Sequence, residues 1–444
     1  MNKSSCRITR RIKKKDQLKD ATKKIGQLIK SSKNFLQIVC PKSGTCIAFG
    51  KYSKELNHFF KDFIHFEYAV SPIKSLGAVS VNGFVKEIEY ERDGYRAHAI
   101  LKSSQRNEAD NLVYEYLVGI KYVNRIMKSF PCFVETYGLY FYSKDDIWKY
   151  MAAKKYVYTE QLKGLDLQQN IDYMKACKES KYAAILIQHI NNAKSLYGMI
   201  KSMNAKFIQL DLIYMLFIVY QALALLSKTF THYDLHLDNV LIYRPFPDQV
   251  IQYHYHNEDG TEFSFYSPYI PKIIDYGRSF FDNGNLNSRK IYDRVCSTNE
   301  CKPNCGRKYG FEWLNPDPYL TISSSQKNES HDLRLINSLK TIDSFYNNPS
   351  TEKTYIHLKN IVDKIAYGVG INENENKQFG TIENLNILPR RITNVNGLHN
   401  VLKKLIEEKP DIISENQTNY NNSNVACHLH IYYDQRPMVY ERNI

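Results

Sequence analysis

Two stretches of the chain concentrate side chains able to do chemistry. THYDLHLDNVLI, beginning at Thr231, carries His232, Asp234, His236 and Asn239, and PKIIDYGRSFF, beginning at Pro271, carries Asp275. Carboxylate and amide oxygens are the ligands that hard divalent cations prefer, and a carboxylate left off the cation can take the proton of a hydroxyl. Phosphoryl transfer needs both, because a metal must neutralise the phosphates while a base readies the acceptor. Three thiols, Cys296, Cys301 and Cys305, form a second constellation. With His331 as a fourth ligand they could hold Zn, but the close Cys-x2-Cys pairs of familiar zinc sites are missing, and unpaired thiols are the leading reading. A third constellation is His428 and His430 in VACHLHIYYD, where a metal competes with the commoner outcome of an ordinary strand.

Periodicity supplies the elements that must position these groups. Between about Phe35 and Leu162 short β-like runs dominate: 78–90, 95–102, 136–142 and 156–160. One helical pattern interrupts them, with Asn107 as N-cap for residues 108–128. Leu112, Tyr116, Ile120, Val123 and Met127 make its apolar face, and Glu115 lies at the edge of that face. Beyond Leu165 helical runs alternate with irregular segments, and Ala183–Ile190 is expected as one of those helices. The apolar run Leu212–Leu226 is shorter than the ~18 to 20 residues of a membrane span and reads as a buried core helix. QVIQYHYHNEDGTEFSFYS from Gln249 alternates around an Asp-Gly turn and predicts a β-hairpin. The expected plan is α+β: a basic tail (1–33), a small strand-rich lobe (34–162), a larger helical lobe (163–410) with a hairpin insertion near 249–268, and a C-terminal extension (411–444).

His232-Tyr233-Asp234, with Asn239 five residues after the Asp, resembles the His-Arg-Asp-x-x-x-x-Asn loop of the protein kinase superfamily, and Asp275-Tyr276-Gly277 resembles its Asp-Phe-Gly. The resemblance implies a bilobal kinase-like fold, ATP with Mg (or Mn) as cofactors, Asp234 as base, and Asn239 and Asp275 as metal ligands. Ala99-Ile100-Leu101-Lys102 resembles the strand ending in the phosphate-binding Lys, and Glu115, thirteen residues on, is its implied partner. Ser330-His331-Asp332-Leu333 resembles the family's helix that braces the loop from beneath. Leu76 to Val85 resembles the glycine-rich loop, which would place Gly77, Ser80, Gly83 and Val85 at the phosphates, although Ala78 and Ser80 stand at the first two Gly positions. Tyr156 to Leu162 resembles the fifth strand and hinge, so that Glu160 and Leu162 would meet adenine.

The departures are also informative. Tyr233 replaces an Arg that in many members receives an activating phosphate, and no convincing Ala-Pro-Glu precedes Asp332. His236 stands where Ser/Thr kinases carry Lys, and is counted here with the catalytic group. It is shared with some atypical kinases and with small-molecule kinases of the aminoglycoside and choline type. These features, with the insertion, look like divergent kinases of large DNA viruses. A Ser/Thr protein kinase is the leading expectation. A small-molecule kinase, and a pseudokinase or basic scaffold, stand as alternatives.

The 444 residues carry a net charge of +14, of which the first 33 hold +10. A tail of that charge is expected to meet a nucleic acid or another polyanion. Length and 43% hydrophobic content exclude a mini-protein and a wholly disordered chain. Nine scattered Cys, no signal peptide and no membrane span predict reduced thiols and an intracellular place, in host cytoplasm or virion if viral.

Overall fold

Alternating apolar and polar residues organise the first half of the chain into an antiparallel sheet. The computed structural model describes residues 52–442 apart from 81–82, 106–110, 174–177, 203–204, 297–311, 314–321, 348–352 and 366–390, together with Leu36, Cys40, Cys46 and Phe49. The basic tail, the Asn107 cap, Cys301 and Cys305 therefore lie outside the described residues. Strands β1 (Ala69–Ser80), β2 (Gly83–Arg92), β3 (Tyr95–Ser104), β4 (Thr136–Tyr142), β5 (Tyr156–Val157), β6 (Leu165–Leu167) and β7 (Ala183–Gln188) form one sheet in the order β5-β1-β2-β3-β7-β4-β6. β2 and β3 pair from Gly83↔Ser104 to Arg92↔Tyr95 around Asp93-Gly94, both at positive φ, as a tight hairpin turn demands. The 3-10 turn Thr159–Gly164 joins the edge strands β5 and β6 and curls the sheet around Phe84, Ile88, Tyr90, Leu101, Tyr140 and Trp148.

Two expectations are corrected here. Ala183–Gln188 is a strand and not a helix: AAILIQ is short, and its position between β3 and β4 buries it on both faces, where a strand loses its alternation. Because β6 and β7 belong to the sheet, the strand-rich unit continues to Gln188, past the boundary expected at Leu162.

The helical pattern around Glu115 appears as α1 (Asn111–Val118), followed by a π-turn over Gly119–Val123. Helix α2 (Leu212–Leu225) is apolar on every side and accordingly sits inside the second core, packed on α3 (Val395–Glu408). Among the described residues no helix is long and apolar enough to cross a membrane. A ribbon of β8 (Val240–Tyr243) and β11 (Ile270–Ile273) brackets the hairpin β9 (Gln249–His256) and β10 (Glu262–Ser267). The C-terminal residues are integral to this part of the fold. Strand β12 (Asn424–Tyr432) pairs in parallel with β9, and β13 (Val439–Arg442) completes a sheet ordered β10-β9-β12-β13. Helix α4 (Pro410–Tyr420) is tied to it: the Asn416 amide bonds both the N–H and the carbonyl of Tyr266, and the buried Asp211 carboxylate accepts from Ser267 and Tyr420.

The cysteines also depart from expectation. Cys40 and Cys46 are joined in a disulfide, their Cα atoms 4.0 Å apart, and Cys296 is disulfide-bonded as well. Cys132 and Cys427 are free and buried. A sulfur in a disulfide offers no thiolate, so Cys296 does not fit the zinc reading. Counting cysteines could not reveal which of them the fold brings together.

Candidate active site

The ribbon sets the first two groups. Asn239 precedes β8 and Asp275 follows β11; the pairing Val240↔Ile273 and the bond from Ile274 N–H to the Asn239 carbonyl put both at the same end. The Asn239 side-chain N–H donates to the Asp234 carbonyl at 2.9 Å, which leaves its amide oxygen as a donor for a cation. Beneath the loop, the buried Asp332 carboxylate accepts the backbone N–H groups of His232 (2.7 Å) and Tyr233 (3.0 Å). Burial pushes Asp332 up to about 7, against the pull of those donors. His232 bridges the two stretches: its Nε2–H donates to the Ile274 carbonyl at 3.0 Å, while Nδ1 accepts from Asp234 N–H. Burial lowers it to about 4, so the ring is neutral at pH 7. Tyr233 (φ +63°) and Asp275 (φ +68°) hold left-handed backbone, which non-glycine residues seldom adopt and which is concentrated at functional sites.

β3 and α1 deliver the charge that meets this end. Lys102 Nζ lies 2.7 Å from Glu115 Oε2 and 2.9 Å from Asp275 Oδ1. Burial would lower the Lys102 ammonium, but Asp275 and Glu115 outweigh it and raise its pKa. Glu115 is only 2% exposed, and burial lifts it to about 7 despite Lys102. For Asp275 burial works upward, yet Lys102 prevails and holds the carboxyl down at about 2. One ammonium thus serves two carboxylates, and the one nearer solvent stays ionised.

Asp234 has partners that motif reading missed. Its Oδ1 lies 3.2 Å from Arg334 and its Oδ2 3.4 Å from Arg278. Arg278 follows Asp275 by three residues and Arg334 follows Asp332 by two, a spacing that carries no signal by itself. His236 is half-buried and its Nδ1 caps the turn Leu237–Asn239 by accepting from Asp238 N–H.

The hairpin between β1 and β2 closes on Ser80↔Gly83, and on β3 Gly83 pairs with Ser104 and Val85 with Lys102. Gly77, at φ +70°, sits by a register irregularity in β1. Glu160 and Leu162 are not brought to Lys102. They lie in the 3-10 turn after the edge strand β5, with Leu162 buried inside the curled sheet and Glu160 exposed. Residues 189–193 run from β7, which pairs with the Lys102 strand β3, to Lys194–Ser195, which pair with β8.

Asn239 and Asp275 present oxygen only, a donor set suited to Mg, which takes one or two protein oxygens and fills its shell with phosphates and water. Among the described residues no three His, Cys, Asp or Glu are arranged as a ready metal centre. No family model matches this chain, and no curated protein matches it.

Proposed function

We propose that the chain is an ATP- and Mg-dependent phosphotransferase with a bilobal, protein-kinase-like fold, acting on Ser or Thr of protein substrates. The observation that carries this reading is the single ammonium of Lys102 joined to both Glu115 and Asp275, at the end of the ribbon that also presents Asn239 and Asp234. Glu115 fixes Lys102 where it can bind phosphate oxygens. Asn239 and Asp275 would hold the cation, which when bound neutralises phosphate charge. Asp234 orients the acceptor hydroxyl and takes its proton, for which Arg278 must release Oδ2 while Arg334 keeps Oδ1 in place. A small-molecule acceptor is the second reading, favoured by His236 in place of Lys. Transfer of radiolabel from ATP, assayed on protein, peptide and small-molecule panels, separates the two. Absence of transfer to any acceptor, with ATP bound, would favour a pseudokinase and overturn both.

A further inference from the structure

The sheet β10-β9-β12-β13 has one face in the core and one toward solvent. Tyr253, Tyr255, Leu429 and Ile431 fill the inner face. Alternation then places His254 and His256 of β9, and His428 and His430 of β12, together on the outer face. The parallel register sets His254 opposite His430 and Gln252 opposite His428. Their nitrogens meet in two pairs: His254 Nε2 with His428 Nδ1 at 3.1 Å, and His256 Nε2 with His430 Nδ1 at 3.0 Å. The rings of His254 and His430 stack 4.4 Å apart. Glu262, on the neighbouring β10, receives His254 Nδ1 at 2.6 Å and His256 Nδ1 at 3.2 Å.

We infer that His254, His256, His428 and His430 form a binding site for an imidazole-preferring divalent transition metal such as zinc, with Glu262 orienting two of the ligands. Glu262 takes the Nδ1–H of His254 and His256, which leaves Nε2 of each with a free electron pair; this carboxylate–histidine arrangement fixes metal ligands. Two nitrogens on one tetrahedral zinc, at about 2.0 to 2.1 Å from the ion, stand roughly 3.3 to 3.4 Å apart. The pairs here need to open by a few tenths of an ångström, with the His428 and His430 protons moving from Nδ1 to Nε2. The four nitrogens are paired and not preassembled around a point, in keeping with the lack of a ready three-ligand group among the described residues. The ion would clip β12 to β9, two strands that no local turn holds together.

Full-length protein freed of metal with a chelator should bind zinc in isothermal titration at about one ion per chain and gain in Tm. Cobalt in its place should give the visible bands of a tetrahedral nitrogen site with no thiolate charge-transfer band. The double variant His428→Gln, His430→Gln should lose this binding, and Glu262→Ala should weaken it about 10- to 100-fold. Zinc should also protect the four histidines of the wild-type chain from diethylpyrocarbonate, a measurement independent of how the variants fold. Unchanged binding in the double variant, a thiolate band with cobalt, or no protection of these histidines would each overturn the assignment.

Discussion

Lys102 Nζ and Asp275 Oδ1 lie 2.9 Å apart across 173 residues of sequence, and the same ammonium holds Glu115 at 2.7 Å. Removing it in Lys102→Met leaves two carboxylates facing each other with no cation. Phosphotransfer should fall below detection, and urea unfolding at pH 7 should show a loss of about 1 to 2 kcal/mol, less than for a fully buried pair because Asp275 is partly open to solvent. A variant as stable and active as wild type would refute the role of the triad.

Asp234→Asn should retain ATP binding and lower turnover by about 10² to 10⁴, since it removes only the group that orients and deprotonates the acceptor. Asp275→Asn should instead weaken Mg-ATP binding, read by nucleotide titration with and without Mg. Wild-type turnover in both variants would sink the proposed roles.

Arg334 reaches Asp234 and not the cation ligands, so it is a positioning residue. Arg334→Met should reduce kcat about 10- to 100-fold while leaving KM for ATP near wild type. A change confined to KM for ATP would contradict that placement.

Gly83 and Gly77 should respond differently to substitution. A Cβ on Gly83, at φ +148°, would stand 1.9 Å from the Ser103 carbonyl oxygen, whereas one on Gly77, at φ +70°, meets nothing within 4 Å among the described residues. Gly83→Ala must displace β3 backbone next to Lys102 and should cost several-fold more stability than Gly77→Ala, whose penalty is the left-handed backbone alone, about 1 to 2 kcal/mol. Equal midpoints in thermal melts would count against the described hairpin.

Acid should destabilise the fold through His399, which is buried against Phe217 and lowered by that burial to about 4 from 6.5. The unfolded chain binds a proton near 6.5 that the folded chain refuses, so this contribution is full above pH 6.5 and is lost as pH falls toward 4. Buried Glu115, Glu135, Asp211 and Asp332, raised to about 7, act with the opposite sign over much of that window. A difference measurement therefore isolates the histidine. Relative to wild type, His399→Gln should gain about 1 to 2 kcal/mol between pH 7 and pH 5 in urea unfolding. A difference independent of pH would mean His399 titrates normally.

The loop groups were legible in the sequence because their geometry is local. Asp234 and Asn239 lie five residues apart, and the apolar strands that flank them align Asn239 with Asp275 once β8 and β11 pair. The hairpin after Gln249 and the core helix Leu212–Leu225 were readable for the same reason, since each carries its own period. Long-range packing alone decided the rest. Ala183–Gln188 is apolar throughout, a pattern shared by buried helix and buried strand, and only its place between β3 and β4 selects the strand. That choice carries the sheet past Glu160–Leu162 to Gln188. Arg278 and Arg334 reach Asp234 from separate segments, and β9 finds β12 some 170 residues later, so no spacing rule could align the four histidines. Such contacts form because burying the inner faces of strands and helices fixes what their outer faces bring together, and that free energy belongs to the whole core and to no single segment.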